Sequence, residues 1–406
     1  MTVAGIPGSN RAGVPVAVAR QPILDRDEQI RGYELLYRPA GPAPSGPEAL
    51  TSNVIVRALA DIGLDALVGD HMAWVNVTRE FLLEVRPLPL PPRRTVLELL
   101  EGQAVDRELL AVLDELRGAG FRVALDDFRF DTGWEELVAR AAAVKLDIRE
   151  LDGDALDDAV RRLRRPGLYL LAEKVEHRAE YERCRALGFD GFQGYFFAEP
   201  VLVEGGTVPT HRLAGLAALT QAGDGVSFEE LERLITQDAG LAYKLVRLAN
   251  SAYVGSRARV ASVRGALTLM GTLNVRRWSM MLALAGFTDR PQHLLATGLL
   301  RARQCELLAR RPVDPAAAFT VGLFSILPAL AGTTIEALIE GLPFDERVSG
   351  ALLDQDGEEG ALLAGVLAFE RGEFDACESH GIDLLEVAEA YRAALAWVQD
   401  NAPHLA

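Results

Sequence analysis

The sequence predicts an α/β domain, a barrel of parallel strands with an antiparallel first strand pair, followed by an all-α domain. Three observations support this fold class. Up to residue 205, eight short apolar runs rich in Val, Leu and Phe alternate with longer amphipathic stretches. After Gly205-Gly206 the strand pattern stops and helical periodicity continues to the end. A length of 406 residues suits two domains, each with its own core.

The predicted strands of the first domain are short and regularly spaced. They occupy residues 14–19, 30–38, 72–77, 95–100, 121–125, 143–146, 168–172 and 191–195. Most connections, such as residues 106–119 and 178–187, have helical spacing, and repeated βα units form parallel barrels. Residues 21–29 are too short for a helical crossover and contain Asp25-Arg26-Asp27, which is typical of a turn. The barrel is therefore expected to open with an antiparallel hairpin.

The second half of the chain carries helix signals only. Ser227-x-x-Glu230 before an apolar-periodic run predicts a helix that begins near Phe228. Further helices are predicted at residues 240–249, 263–271, 275–285, 294–310, 316–331, 362–371 and 384–400.

One segment of this half is long and apolar enough to raise the question of a membrane span. Residues 315–335 contain no charged side chain, and a stretch of about 20 such residues can cross a bilayer. Gly322, Pro328 and Gly332 interrupt it, however, together with four hydroxyl residues. The segment is better explained as two buried helices, and no membrane association is expected.

The overall charge and the cysteine pattern restrict the class of protein. The 58 acidic against 42 basic residues give a net charge of −16, which excludes bulk nucleic-acid binding. Three scattered cysteines, Cys184, Cys305 and Cys377, are too few for a disulfide framework and are expected to be buried thiols. Residues 1–13 lack the features of a signal peptide and are expected to form a flexible tail. Together these features predict a cytoplasmic protein.

Polar and charged residues stand at the ends of nearly all predicted strands. They are Glu34, Asn76, Glu98, Asp126, Asp127, Lys145, Glu173 and Gln193. In a parallel barrel these positions converge on one mouth, where active sites lie. The oxygen-rich set suits two hard divalent ions, Mg²⁺ or Mn²⁺, which can support an in-line displacement at phosphorus. Any one acid alone could equally be a solvated loop residue or a helix cap, so the argument depends on the whole set.

Seven motifs in this half resemble, in order, those of the EAL domain, a family of cyclic di-GMP phosphodiesterases. They lie at residues 20–23 with 33–38, 74–77, 97–101, 125–128, 145–147, 172–176 and 193–197. The match covers roughly residues 14–203, and the barrel domain is assigned to residues 14–205. The resemblance implies a TIM-like barrel that opens one phosphodiester of cyclic di-GMP to give linear pGpG.

The resemblance also implies residue roles. Glu34, Asn76, Glu98 and Asp126 would hold one metal ion, and Asp126 with Asp127 the second. Lys145 would orient the attacking water, Glu98 would act at the same catalytic centre, and Glu173 would be the acid/base or a carboxylate close to the metal. Gln21, Arg38 and Gln193 would contact the dinucleotide.

Three departures from the family pattern favour an alternative, a barrel that binds cyclic di-GMP without turnover. The signature alanine is Leu35, a larger residue next to Glu34. The glycine-containing loop after the Asp126-Asp127-Phe128 motif is replaced by residues 129–136. Residues 39–48 replace the segment that usually leads into a substrate-binding strand.

The helical half, residues 206–406, resembles the HDOD domain, a relative of HD hydrolases that lacks the metal site. The resemblance rests on residues 234–252 and 261–271. No His-Asp dipeptide occurs in the chain, so this half is expected to be an output module without catalysis. The order of the two domains is similar to that of bacterial EAL-HDOD (YuxH-like) signalling proteins. That resemblance implies a homodimer and an unknown protein partner. A third hypothesis is a scaffold that works through the helical half alone.

A local cluster of basic residues is the one candidate interaction surface in the helical half. Arg257, Arg259, Arg276 and Arg277 could meet an acidic partner, although a solvated helix face explains them equally well.

Overall fold

The structure is a computed structural model of the chain. It describes residues 16–39, 63–84, 88, 90–102, 104–130, 133–151, 153–198, 219, 226–252, 261–285, 292–332, 334–341, 344 and 346–401. The predicted tail at residues 1–13 lies outside these ranges.

Eight strands form a closed barrel in chain order, as predicted. They are β1 Val16–Asp25, β2 Ile30–Pro39, β3 Met72–Val77, β4 Thr95–Leu99, β5 Arg122–Leu125, β6 Ala143–Asp147, β7 Tyr169–Glu173 and β8 Gly191–Phe192. Strands β2 to β8 are parallel, whereas β1 runs antiparallel to β2 and β8 and closes the barrel. The predicted antiparallel first pair is confirmed.

The first hairpin is tighter than the sequence suggested. Residues 21–24 were expected to belong to the connection, but β1 continues to Asp25 and only four residues form the turn. The Asp25 carboxylate makes this possible, because it accepts hydrogen bonds from the backbone N–H groups of Asp27 (2.8 Å) and Gln29 (2.9 Å). The correction matters for the site, because it places Gln21 directly opposite Glu34.

Short helices connect the strands, as the small size of the domain requires. They are α1 Leu64–Val68, α2 Arg79–Glu84, α3 Arg107–Gly118, α4 Trp134–Arg140, α5 Gly153–Leu163 and α6 Arg178–Leu187. Helix α3 begins after Asp106, whose carboxylate accepts a hydrogen bond from the Leu109 N–H at 2.8 Å. Helix α6 ends at Gly188, which has a left-handed backbone (φ 100°).

The second part of the described chain is helical. Its helices are α7 Phe228–Thr236, α8 Ala239–Ala252, α9 Val263–Met270, α10 Thr272–Ala285, α11 Gln292–Leu308, α12 Pro315–Phe324, α13 Leu327–Ala331, α14 Ile335–Gly341, α15 Glu346–Leu353, α16 Gly357–Glu370, α17 Phe374–Ser379 and α18 Leu384–Asn401. The cap at Ser227 is confirmed, because its hydroxyl accepts a hydrogen bond from the Glu230 N–H at 3.2 Å. The sequence analysis missed α14, α15 and α17.

The uncharged segment forms two buried helices, as predicted. Helix α12 ends at Phe324, and α13 ends at Gly332, whose left-handed backbone (φ 68°) terminates it. Within the described ranges, none of the helices has the length and apolar character needed to cross a bilayer.

The two parts of the chain share one apolar core. Buried residues from the outer faces of the strands, such as Leu97 and Val123, belong to the same cluster as Phe369 and Tyr391 of the helical part. Helix α18 packs against β1. The three cysteines are buried free thiols, as expected.

Two arginines of the predicted basic cluster do not form an interaction surface. Arg276 is buried, and Arg277 lies 2.5 Å from Glu306 and packs over the Phe319 ring. The helix face was misjudged because both side chains turn toward the core of the helical part. Arg257 and Arg259 lie outside the described residues.

Candidate active site at the carboxyl end of the barrel

An apolar layer fills the middle of the barrel and supports the site. It consists of Ile23, Trp74, Val96, Ala124, Ala143 and Leu171, all buried. Side chains in a strand alternate between its two faces, so the residue two positions along points the same way. Two positions beyond Trp74, Val96, Ala124, Ala143 and Leu171 stand Asn76, Glu98, Asp126, Lys145 and Glu173. Gln21 stands two positions before Ile23, because β1 runs in the opposite direction.

Lys145 lies at the centre of this second layer. Its ammonium nitrogen Nζ is 2.7 Å from Asp126 Oδ1, 2.8 Å from Glu98 Oε1, 2.8 Å from Glu173 Oε1 and 3.1 Å from Glu34 Oε2. The lysine is buried, and so are Glu34, Glu98 and Glu173. The structure therefore brings together five of the predicted site residues from five different strands or strand ends.

Amide side chains extend the cluster around Glu34. The Asn76 amide donates a hydrogen bond to Glu34 Oε1 at 2.8 Å, and the Gln193 amide donates to Glu34 Oε2 at 2.6 Å. Gln193 also donates to Gln21 Oε1 at 2.7 Å. The Tyr37 hydroxyl, which the sequence analysis missed, donates to the Asn76 backbone carbonyl at 2.7 Å. Glu34 is thus held on both oxygens.

The electrostatics of the acids differ with their surroundings. Burial opposes ionisation of Glu34, but Lys145 and the hydrogen bonds from Gln193 and Asn76 outweigh it, so the Glu34 pKa is lowered. Burial and the Glu34 charge raise the pKa of Glu98 well above its usual value. Burial likewise raises the pKa of Asp126, and that of Glu173 to about 8. Burial lowers the pKa of Lys145, but the four carboxylates outweigh it and raise the pKa well above normal, so this side chain stays charged.

The cluster has more negative charge and more acceptors than its own donors satisfy. Four carboxylates surround one ammonium group, which leaves three negative charges if all ionise. Within the described ranges, hydrogen-bond donors are lacking for Asn76 Oδ1, Glu98 Oε2 and Glu173 Oε2, whereas Glu98 Oε1 has the Lys145 ammonium group 2.8 Å away. Buried acceptors of this kind are costly unless a cation or a donor reaches them. The donor set, carboxylates with one amide oxygen, therefore fits hard divalent ions.

The acids surround the ammonium group and are not arranged around an empty centre. Accordingly, no group of three or more acidic, histidine or cysteine side chains in the described part of the chain has the geometry of a ready-made metal centre. Ligand oxygens would have to turn from Lys145 toward an ion.

Asp127 stands apart from the cluster. It follows Asp126 beyond the end of β5, with a left-handed backbone (φ 39°) that is unusual for a non-glycine residue. Burial raises its pKa, and Lys174 is the cation that acts on it most strongly. Lys174 in turn contacts the buried Asp147 carboxylate. The structure therefore supports the adjacency of Asp127 to the site without placing it in contact with Lys145.

Arg38 is engaged elsewhere. Its guanidinium lies 2.6 Å from Asp375 of α17 in the helical part. A contact between residues 337 positions apart leaves no local signal, so the sequence analysis could not foresee it.

Leu35 does not crowd the metal-ligand position, which corrects the concern raised by the sequence. Because neighbouring residues of a strand face opposite ways, Leu35 points out of the barrel, whereas Glu34 points in. Leu35 is buried in a separate cluster with Val18, Leu67 and Val75. The departure from alanine is absorbed by packing against α1.

The loop after Asp127 has been rebuilt around aromatic rings. The ring of Phe130 lies 5.1 Å from those of both Phe128 and Trp134 in edge-to-face arrangements, and the Arg162 guanidinium stacks over Phe130 at 3.7 Å. Arg129 lies 2.9 Å from Glu150. The described residues of this loop therefore form an aromatic packing of their own.

A second end of the barrel, away from the acids, also contains a cavity. It has a volume of about 610 Å³, is lined by residues such as Trp74, Arg122 and Tyr169 at the starts of the strands, and includes none of the clustered acids. A smaller cavity of about 260 Å³ lies at the edge of the site, where Asn76 and Tyr37 line it.

Fold and site together define a class: a (β/α) barrel with an acidic, lysine-centred mouth, joined to a helical domain. A family profile of the EAL domain matches residues 72–200, and one of the HDOD domain matches residues 209–332. Over 94% of this chain and 92% of the relative, the chain is 33% identical to a Vibrio cholerae protein, the cyclic di-GMP phosphodiesterase CdgJ. It is 31% identical to the uncharacterized protein YuxH of Bacillus subtilis, over 94% of this chain and 98% of the relative. The chain belongs to this EAL-HDOD family.

Solved structures of EAL proteins are similar to parts of the chain. A Klebsiella pneumoniae BlrP1 complex with calcium and cyclic di-GMP is 22% identical, with a TM-score of 0.39, over 49% of this chain and 58% of that one. A complex of the phosphodiesterase PaMucR with cyclic di-GMP is 23% identical, with a TM-score of 0.36, over 45% of this chain and 94% of that one.

Proposed function

We propose that this protein hydrolyses cyclic di-GMP to pGpG in a reaction that depends on divalent cations. The observation that carries the proposal is the cluster of four carboxylates on Lys145 at the barrel mouth. It occurs in a chain related along 94% of its length to a protein named as a cyclic di-GMP phosphodiesterase. The position at the carboxyl end of the barrel is where such folds carry their chemistry.

Two ions, Mg²⁺ or Mn²⁺, would be held by the acids of the site. Glu34, Asn76, Glu98 and Asp126 are assigned to one ion, and Asp126 with Asp127 to the second. The acceptor-rich and donor-poor state of Asn76 and Glu98 supports this assignment. Bound divalent ions supply Lewis-acid stabilisation of a phosphodiester and a water of lowered pKa.

The side chains of the protein have separate tasks. Lys145 holds the carboxylates in place and presents a permanent positive charge to the attacking water or the phosphate. Glu173, with a pKa raised by burial to about 8, can take up and release a proton near neutral pH, as an acid/base group must. Glu98 serves the same catalytic centre as a buried carboxylate.

Substrate binding is assigned to the amide pair and to one arginine. Gln193 and Gln21 lie next to Glu34 and offer amide groups that suit phosphate or guanine edges. Arg38 supplies a guanidinium suited to a phosphate.

The decisive test is the formation of pGpG by purified full-length protein with Mg²⁺ or Mn²⁺. Glu34→Ala should abolish turnover, because it removes the carboxylate that Lys145, Asn76 and Gln193 all contact. Glu182→Gln, an exposed carboxylate on α6, is the matched control and should retain it. Equal rates of pGpG formation for the wild-type protein and Glu34→Ala would refute the proposed phosphodiesterase activity.

The rebuilt aromatic loop favours a second candidate, a sensor that binds cyclic di-GMP without turnover. Calorimetry combined with the pGpG assay distinguishes the sensor from the enzyme. A sensor gives saturable binding of cyclic di-GMP and forms no pGpG with either metal.

We further propose that the chain divides near residue 206, forms a homodimer in the cytoplasm and signals through an unknown protein partner of the HDOD half. The support is the family relationship. Light scattering of the purified protein with and without cyclic di-GMP tests the dimer.

A further inference from the structure

A short segment of the helical part, residues 371–375 between α16 and the first turn of α17, lies at the rim of the barrel mouth. We propose that this segment forms part of the dinucleotide site, with Arg371 binding the substrate and Asp375 competing with the substrate for Arg38. The inference rests on the proposed function and names a second, distant source of substrate contacts.

The cavity beside the acids has walls from both parts of the chain. Leu36, Tyr37 and Asn76 line it from the barrel, and Arg371, Gly372 and Phe374 line it from the helical part. Asn76 is the same side chain that donates to Glu34 at 2.8 Å. At about 260 Å³ the cavity is smaller than the roughly 300–1,000 Å³ of a complete small-molecule site, so it would hold one portion of a dinucleotide.

The segment is fixed by packing within the helical part and lies close to the barrel. Gly372 has a left-handed backbone (φ 73°), and a Cβ atom there would come within 2.6 Å of Leu36 Cδ1. The left-handed backbone favours glycine at this position, and a side chain there would displace Leu36. Phe374 is buried against Phe369, and the preceding Glu370 forms a buried ion pair with Arg301 at 3.0 Å. A group on so fixed a segment can act as a positioned ligand.

Arg371 carries a charge suited to the substrate. Its guanidinium stacks over the ring of Tyr195, 5.1 Å away, just beyond Gln193 at the end of β8. Its NH1 atom lies 3.6 Å from Glu373 Oε2, which is beyond hydrogen-bond distance. The neighbouring site is rich in carboxylates that repel phosphodiesters. A guanidinium at its rim would offset that repulsion and bind a phosphate in two-pronged fashion.

Asp375 forms an ion pair with Arg38, the other arginine assigned to substrate binding. Its carboxylate lies 2.6 Å from Arg38 NH1, and its side chain is 86% exposed. An ion pair so exposed to water is weak, so a bound phosphate can displace it. Displacement of this ion pair would therefore free Arg38 for the substrate, which gives the helical part a direct means of setting substrate affinity.

The test measures KM and kcat for cyclic di-GMP with full-length variants. Arg371→Ala should raise KM about 5- to 10-fold with kcat within about twofold of wild type, and Arg371→Lys should lie between them. Arg310→Ala removes an exposed arginine that pairs with Glu386 elsewhere in the helical part, and serves as the control. Thermal melting identifies any variant that fails to fold.

A double-mutant cycle isolates the role of Asp375. Asp375→Asn should lower KM about two- to threefold in the wild-type background and change nothing in an Arg38→Ala background. The inference is overturned if Arg371→Ala behaves like Arg310→Ala, or if Asp375→Asn acts equally in both backgrounds. These results require a wild-type protein that turns over or binds cyclic di-GMP. If the protein does neither, it is the proposed function that fails. If it binds without turnover, dissociation constants replace KM in the same comparisons.

Discussion

Two groups of buried charges, one in each part of the molecule, show how a site differs from a structural pair. In the helical part, one guanidinium meets one carboxylate: Arg301 Nε lies 3.1 and 3.0 Å from the two oxygens of Glu370. At the barrel mouth, one ammonium group meets four carboxylates. The first group is balanced and complete, whereas the second is stable only if protons or cations join it. The imbalance, and not burial alone, identifies the functional group.

The largest expected effect concerns Lys145. Lys145→Met removes the only cation that contacts all four acids among the described residues, so turnover per folded molecule should fall about 100- to 1,000-fold. Steady-state kinetics, corrected for the folded fraction by circular dichroism, measures the loss. Arg301→Met is the contrasting variant and should retain turnover in the molecules that fold. A Lys145→Met protein within tenfold of wild type would show that the lysine is structural like Arg301.

The next effect concerns the balanced pair. Arg301→Met should lower the free energy of unfolding by about 3–5 kcal/mol, because it leaves Glu370 buried and uncompensated. Arg301→Met combined with Glu370→Met should recover most of this loss. Urea denaturation measures both. If Arg301→Met lowers the free energy of unfolding by less than about 1 kcal/mol, water reaches the Arg301–Glu370 pair. The contrast between this pair and the lysine-centred cluster then fails.

The third expected effect is a dependence of stability on pH in protein treated with a chelator. The pKa of Glu173 is about 8 in the folded chain against an ordinary value of 4.5, so the folded state binds more protons between these values. The free energy of unfolding should therefore fall as pH rises from 5 to 8, by up to about 1.4 kcal/mol per pH unit for one such group. The raised pKa values of Glu98 and Asp126 act in the same direction.

The control for this pH effect is Glu173→Gln, which should have a flatter profile. Added Mn²⁺ should stabilise the wild-type protein more at pH 8 than at pH 5, because ions replace protons on the acids. A melting temperature that rises with pH in the chelated protein would contradict the assignment.

Much of the barrel could be predicted because strand pairing and local alternation leave a direct pattern in the sequence. Alternation along β1 and β2 places Leu35 on the outer face of the barrel. It places Gln21 on the same inner face as Glu34 once the two strands are paired. The register of β1 against β2 could not be predicted, because the length of the turn between them depends on the Asp25 carboxylate and not on a pattern of apolar residues.

The contacts between the two parts could not be predicted in this way. Arg38 contacts Asp375, and Leu36 contacts Gly372, only because the whole chain folds. No periodic pattern in the sequence indicates either pairing. Helix α17 was missed for a related reason: six residues are too few for a periodic signal.

The apolar layer of the barrel also sets how the sequence can change. Six of the site side chains, Gln21, Asn76, Glu98, Asp126, Lys145 and Glu173, stand two residues from a position of this layer, so the spacing between layer and site is fixed along the chain. Insertion of a single residue between Val96 and Glu98, or between Ala143 and Lys145, would turn the charged group outward and an apolar one into the mouth. A substitution such as Leu35 can be accommodated by outward packing, but a change of length inside these strands would remove a ligand outright. Insertions and deletions among relatives are therefore expected in the loops. They are not expected between an apolar-layer residue and the site residue that follows it on the same strand.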